Sequence, residues 1–401
     1  MRLFSKLNTK DLVIFFNRST GPLHDSRIRK MMTSLSLHGL ACEGMLFTKS
    51  NRYTKYFYKP NAWVFTLPLL ITSKNLIRGG AFINGIEIIQ ETLASCLYIL
   101  YRRPKYLIVQ NHRLFLVTFF SILLYKRLFK SRLVWDLREL PNGFMTGSFK
   151  IIFINFLFRN CCSVLIANQS RLDYMQLIYG KDCLKHACVI SNFENSSFIN
   201  AEKRTLPTSV SSFLSGRQYI YVQNPFDLDR GLIESLSLIS ENKDFCLIVS
   251  GRIPESIIER INTLFGNAFI KSNVFFTGWI SDLSLVELID NAYASIVIYK
   301  YIDNPSYYHS LNNRYCASNT LYQSISRGTP VLTGCNEGMS QNVRELGVGV
   351  VTSDDGSVAE VIKSFQILKN NYISIKQACD SKKGILSWES QEQILIDAVI
   401  G

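Results

Sequence analysis

His112 follows the apolar run Tyr106 to Val109 at the point where a strand would end. An imidazole in that place can hydrogen bond a hydroxyl or a phosphate and carry a proton near neutral pH, although a lone histidine is also common as a structural residue. Asp136 and Glu139 stand three residues apart. Paired carboxylates of that spacing can act on a hydroxyl; equally they can cap a helix or pair with Arg138. Asp227 and Asp229 have the spacing of a metal-binding pair, but they precede a helix, and no metal site is expected. A helix opening at Ser318 or Asn319 offers backbone N–H groups and a positive dipole end to a diphosphate. Gly328 and Pro330 end that helix and start the next strand. Asp25 is most simply an N-cap.

Parallel sheets covered by helices are what would position such groups. Strand-like apolar runs alternate with helix-length amphipathic segments through most of the chain, which predicts an α/β protein of two doubly wound, Rossmann-like domains. In the first half the expected strands are Asp11 to Phe16, Gly44 to Phe47, Tyr106 to Val109, Arg132 to Trp135, Val164 to Ala167 and Cys188 to Ile190, with a helix from Asp25 to His38. The polar stretch Asn195 to Ser212 reads as a linker. The rhythm then restarts with strands at Tyr219 to Val222, Phe245 to Ser250, Val274 to Thr277, Ala294 to Tyr299 and Pro330 to Thr333. Helices are expected at Gly231 to Ser240, Glu255 to Phe265, Leu283 to Asn291 and Ser318 to Ser326. Domains at 1–205 and 206–385 follow, with a helix over 386–401 returning to the first. In such folds ligands sit outside the carboxyl ends of the strands, so a cleft between the domains is the expected site.

Charge divides the chain at the same place. Residues 1–204 hold 29 basic and 11 acidic side chains, a balance of +18, while 205–401 hold 15 and 20, a balance of −5. Lys126, Arg127, Lys130 and Arg132 lie beside the apolar run Leu114 to Tyr125, and Lys150 to Arg159 encloses the aromatic run Phe153 to Phe158. Such segments suit an anionic membrane surface; they are also what ordinary buried helices with solvated ends look like. No nucleic-acid motif or stacking pattern accompanies the charge, and no nucleic-acid partner is expected. The longest apolar stretch, 12 residues, is too short to cross a bilayer, and no small-residue cleavage site follows the N-terminal run. The ten cysteines show no metal-ligand spacing, which fits free thiols in a reducing cytosol.

Several segments resemble the GT-B glycosyltransferases, notably retaining family 4. Asn273 to Asp282, then Leu283 to Asn291 and Ala294 to Tyr299, are similar to the family's "nV.f.G.v...dl..ll..ad..v.p", and Ser318 to Leu332 is similar to its "PNKLFEYMAAGLPVI". The resemblance implies a nucleotide-sugar donor held by the second domain, with Ser318, Asn319, Thr320 and Leu321 at the phosphates. Gln323 takes the place of the glutamate that holds the ribose hydroxyls, Thr320 that of a phosphate-binding lysine, and Tyr315 that of a further glutamate, where its ring would border the sugar. On this reading Gln323→Glu is tolerated. Asp229-Arg230-Gly231 resembles the family's "(E)KG" segment, placing Arg230 on the pyrophosphate, with a solvated first-turn arginine as the alternative. Arg252 falls at a glycine-rich strand end, as a phosphate contact or a surface charge.

In the first half, Asp25-Ser-Arg27, Val109 to His112, Trp135 to Pro141, Ala167 to Ser170 and Ile190 to Asn192 resemble the family's "D.Rv", "vhvH", "yD.HEl", "i.vS" and "vi.N" segments, with Arg138 in place of a histidine. Thr20-Gly21 would approach the donor phosphates, and His112 and Glu139 would border the reacting centre. Ser387-Trp388-Glu389 resembles the segment whose helix returns to the first domain. Together these imply metal-independent transfer of a hexosyl-type sugar to a saccharide or lipid-linked saccharide acceptor, in surface polysaccharide or lipopolysaccharide biosynthesis. The place implied is the cytoplasmic face of the membrane, with the protein peripherally bound. A nucleotide-sugar 2-epimerase and a non-catalytic saccharide- or partner-binding module of the same fold are the alternatives.

Overall fold

The computed structural model describes residues 12–18, 25–48, 53–59, 61–69, 80–110, 114–126, 131–141, 148–225, 228–302 and 307–401. The chain forms two compact units, Met1–Ser191 with Gln391–Gly401, and Asn192–Ser390. Among the described residues each is built on one sheet, as expected of the α/β class.

In the first unit the strands are β1 (Leu12–Arg18), β2 (Ala41–Thr48), β3 (Lys55–Lys59), β4 (Ala62–Pro68), β5 (Tyr106–Gln110), β6 (Arg132–Leu137), β7 (Ser163–Ile166) and β8 (Ala187–Val189). Their order is β3-β4-β2-β1-β5-β6-β7-β8, parallel except for the β3–β4 pair. A sheet with helices on its faces buries its central strands completely, and Leu12 to Phe16 are accordingly at most 1% exposed. The helix Ser26–Leu37 follows β1, and Asp25 caps it by accepting from the Ile28 N–H at 3.1 Å. The helix Gly80–Arg102 leads from β4 towards β5. Sequence periodicity had assigned neither this helix nor β3 and β4.

The second unit carries β9 (Gln218–Gln223), β10 (Phe245–Ser250), β11 (Val274–Gly278), β12 (Ala294–Val297), β13 (Val331–Thr333) and β14 (Gly349–Val351). Their order is β11-β10-β9-β12-β13-β14, parallel throughout. Alternation along β9 sends Ile220 and Val222 into one core layer and Tyr219 and Tyr221 into the other, so both faces are buried.

The unit boundary falls earlier than 205. Residues expected to be linker belong to the second unit because its Arg327 guanidinium donates to the carbonyls of Phe198, Ile199 and Ala201, at 2.6 to 2.9 Å, while pairing with Asp290. Phe198, Val210 and Leu214 fill its core, and helices form at Ser196–Ile199 and Thr208–Leu214. The return also comes later than 386: Trp388 N donates to Glu194 O at 2.8 Å inside the second unit, and Gln391 opens the returning segment. There the Gln391 amide both donates to Ser191 O and accepts from Ser191 N, at 2.6 and 2.8 Å. Among the described residues no helix is long and apolar enough to cross a membrane.

Candidate functional site

In the second unit the carboxyl ends of β9, β10 and β12 bring together segments far apart in sequence. After β9 the chain makes a tight turn at Leu228–Arg230, and Gly231 takes φ +74° before the helix Leu232–Glu241. A side chain at Gly231 would place its Cβ 2.8 Å from Ile298 Cβ, so the turn can lie this close to the segment leaving β12 only with glycine there. The contact is locked by backbone and side chain: Lys300 N donates to Asp229 O at 2.8 Å, and Asn313 Nδ2 donates to Asp229 Oδ2 at 2.6 Å.

Arg230 is held over an aromatic ring. Its guanidinium carbon lies 3.8 Å from the centroid of Tyr299, and its Nε lies 3.2 Å from Asp229 Oδ1, an ion pair without hydrogen-bond geometry. Burial pushes the Tyr299 phenol up, with the Arg230 charge and the nearby Ser318 hydroxyl among the influences opposing it. Ser318 is the N-cap of the helix Asn319–Arg327, its hydroxyl accepting from Leu321 N at 3.2 Å. A pyrophosphate-sized anion reaching Arg230 would therefore also meet the positive end of this helix.

The expected donor residues divide on this geometry. Arg230, Ser318 and Thr320 are part of or next to the cluster, Asn319 is exposed at the first helical position, and Arg252 is exposed just beyond β10. Leu321 does not fit the phosphate role: its N–H is taken by the Ser318 cap and its side chain is fully in the core. Tyr315 is only 8% exposed, with the Arg314 guanidinium 5.3 Å from its ring, rather than offering an open face to a sugar. Gln323 is half-buried. Its Nε2 donates to Glu194 Oε1 at 3.0 Å, while its Oε1 is buried with no hydrogen-bond partner.

At the corresponding strand ends of the first unit lies a buried ionic quartet. Asp136, near the end of β6 and 0% exposed, accepts from Arg27 Nε at 3.0 and 3.1 Å, from Arg27 Nη2 at 2.7 Å and from Gln110 Nε2 at 2.8 Å. Arg138 Nη1 donates to Asp25 Oδ2 at 2.7 Å, and its Nε lies 3.6 Å from Asp136. Burial alone would raise both carboxyls, but the facing arginines and hydrogen bonds outweigh it and hold Asp25 and Asp136 below the usual carboxylate range. This settles the Asp136–Glu139 pairing: Asp136 is sealed and bound, whereas Glu139 is exposed. They are not a joint acid and base. His112, Thr20 and Gly21 lie outside the described residues. Among the described residues no group of three or more His, Cys, Asp and Glu side chains is placed to hold a metal ion.

No protein-family model and no curated protein matches the chain. Solved structures do. Sucrose-phosphate synthase from Thermosynechococcus elongatus superposes with a TM-score of 0.70 at 13% identity, over 97% of this chain and 98% of that one. HepE from Anabaena, crystallised with UDP, gives 0.64 at 12% identity, over 96% and 98%. WaaG, a glycosyltransferase involved in lipopolysaccharide biosynthesis, gives 0.63 at 13% identity, over 96% and 99%. The chain has the GT-B fold.

Within this GT-B chain two residues of the cluster escaped sequence reading. Tyr299 was counted as the end of a strand, but β12 stops at Val297, which frees the ring to turn under Arg230. Glu194 falls between the strand end at Asn192 and the expected linker from Asn195, and nothing in its neighbours announces the contact with Gln323 in the helix Asn319–Arg327.

Proposed function

We propose that this protein is a glycosyltransferase. A nucleotide-sugar is held at the strand ends of the second unit, and its sugar passes, with retention, to a saccharide or lipid-linked saccharide acceptor for a surface polysaccharide or lipopolysaccharide. The observation that carries the reading is Arg230 stacked on Tyr299, near the Ser318 cap of the helix Asn319–Arg327. Transfer breaks the bond between the anomeric carbon and the diphosphate, and the departing oxygen gains negative charge. A guanidinium and a helix N-terminus aimed at that oxygen stabilise it without a metal ion. The acceptor hydroxyl bonds the same carbon and gives its proton to His112 or Glu139. Arg252, Asn319 and Thr320 would line the phosphates with the Thr20-Gly21 loop, and Gln323 would offer its unsatisfied Oε1 to a ribose hydroxyl.

HepE, similar in fold, binds UDP, so UDP-sugars head the donors to test, followed by GDP- and TDP-sugars. The +18 balance of residues 1–204 supports an anionic membrane face, cytoplasmic and peripheral, as the place where a lipid-linked acceptor is met. The deciding experiment is a thermal-shift panel of these donors, followed by turnover with lipid-linked saccharides. Binding followed by transfer supports the reading. Sugar conversion without an acceptor would indicate an epimerase, and binding without any chemistry a non-catalytic module.

A further inference from the structure

The helix Gly80–Arg102 is inverted in its charges: its charged side chains point inward, beside the buried Ile99, and an apolar stripe lines its outer face. Its only charged residues are Glu87, Glu91 and Arg102, and these are 0%, 0% and 8% exposed. Arg102 pairs with Glu43 on β2, and Tyr98 donates to the same carboxylate at 2.7 Å, so polar bonds fix the helix to its sheet. Thr92 and Ser95 are turned in as well, each hydroxyl bonding a carbonyl of the preceding turn at 2.7 Å. The outward face carries Ile89, Leu93, Leu97 and Tyr101, between 55% and 69% exposed, with no charge among them. Their spacing of four is one stripe of a helix. A 23-residue helix in water ordinarily shows the opposite arrangement.

The stripe continues onto its neighbours. The helix Phe115–Ser121 lies against the inverted helix and contributes Phe120; Leu123 follows it, both 38% exposed. The next helix, Ser148–Asn160, joins through rings, Phe119 to Phe153 at 5.5 Å and Phe119 to Phe156 at 5.9 Å, and exposes Ile152 at 67%. Three adjacent helices thus present apolar groups to the outside. Exposed apolar side chains gathered on neighbouring helices in this way mark an interaction surface.

We propose that this face, centred on Leu93 and Leu97, inserts into the interfacial layer of an anionic bilayer. The inference deepens the peripheral-membrane part of the proposed function and rests on it, since it names the surface that would make the contact. Charge selects the occupant. The face lies in the part of the chain with a balance of +18, and the exposed Arg103 and Lys105 directly follow the inverted helix. A second copy would bring the same positive charge to the interface and be repelled, whereas an anionic lipid surface is attracted and accepts the apolar side chains. The sequence had pointed to Lys126, Arg127 and Lys130. Arg127 and Lys130 lie outside the described residues, as does the Lys126 side chain, and the charge-free stripe supplies the insertion that a basic cluster alone does not.

The test uses the full chain and vesicles of phosphatidylcholine with and without phosphatidylglycerol, read by co-sedimentation at low and high salt. Wild type should bind the anionic vesicles, and Leu93→Asp with Leu97→Asp should lower the partition coefficient by roughly tenfold or more. Both positions are exposed, so folding and nucleoside-diphosphate binding should be unchanged. If wild type binds no vesicle, the peripheral reading and this inference fall together. If wild type binds and the double variant binds equally, the inference falls while the peripheral reading stands. A lipid-free dimer that the double variant converts to monomer in sedimentation velocity would assign the face to a second copy and overturn the proposal.

Discussion

Both units set arginine, aspartate and a helix cap at the carboxyl ends of parallel strands, and they bind these groups with very different tightness. In the first, Asp136 is sealed from solvent and accepts from Arg27 and Gln110, while Asp25 caps a helix and receives Arg138. Two guanidiniums face two carboxylates, and little positive charge is left over for a ligand. In the second, Arg230 lies over the Tyr299 ring and pairs with Asp229 without hydrogen-bond geometry, near the helix that Ser318 caps. The first arrangement specifies structure; the second is the one proposed to receive an anion. Similar residue types at strand ends thus differ in burial: Asp136 is 0% exposed, whereas the Arg230 and Asp229 side chains are 17% and 18% exposed.

The comparison breaks most clearly at Asp136. Asp136→Ala leaves the Arg27 guanidinium buried without its carboxylate, and breaking a buried pair in this way costs about 3–5 kcal/mol. Chemical denaturation should show that loss. Asp25→Asn is gentler, because an asparagine still caps the helix while the charge facing Arg138 is gone; the expected loss is about 1.5–3 kcal/mol. Since the folded protein holds Asp25 and Asp136 below their ordinary range, their contribution is present above the unfolded carboxyl pKa of about 4 and is lost as pH falls below it. Unfolding midpoints measured from pH 7 to pH 3 should therefore drop in acid, and Asp25→Asn should flatten that drop.

A third variant sharpens the comparison inside the second unit. The family resemblance suggested that Gln323→Glu is harmless, but Gln323 Nε2 donates to Glu194 Oε1, so a glutamate would lose that bond and face a like charge. A loss of about 1–3 kcal/mol is expected, with Glu194→Gln restoring stability in the double variant. Equal costs with and without Glu194→Gln would show that the two side chains are not coupled.

Sequence made the parallel core legible because buried strands are continuous apolar runs: β10 and the helix Glu255–Phe265 have the anticipated limits, and Asp25 caps the first helix as expected. It hid the stretch from β3 to the inverted helix for physical reasons. Lys55–Lys59 sets three consecutive aromatic residues between two lysines and exposes Phe57 with both lysines, and in Gly80–Arg102 the charged residues are buried, so apolar periodicity points the wrong way. The linker misled similarly, because a Ser- and Asn-rich segment looks solvated until Arg327 is seen to bind its carbonyls. Of the site, the helix start at Ser318 and the turn at Arg230 could be read locally; Tyr299 and Glu194 could not, since their roles arise only from tertiary contact.

Calorimetric titration of the full chain with UDP, GDP and TDP, repeated on Arg230→Ala, tests the receptive second-unit site most directly. The expected result is saturable binding of at least one diphosphate, weakened in the variant by about 1.5–3 kcal/mol, the range for a charge-assisted bond, with an unchanged unfolding midpoint. No binding of any of the three, or equal affinity in wild type and variant, would contradict the assignment of Arg230 and the turn Leu228–Arg230 to the donor diphosphate.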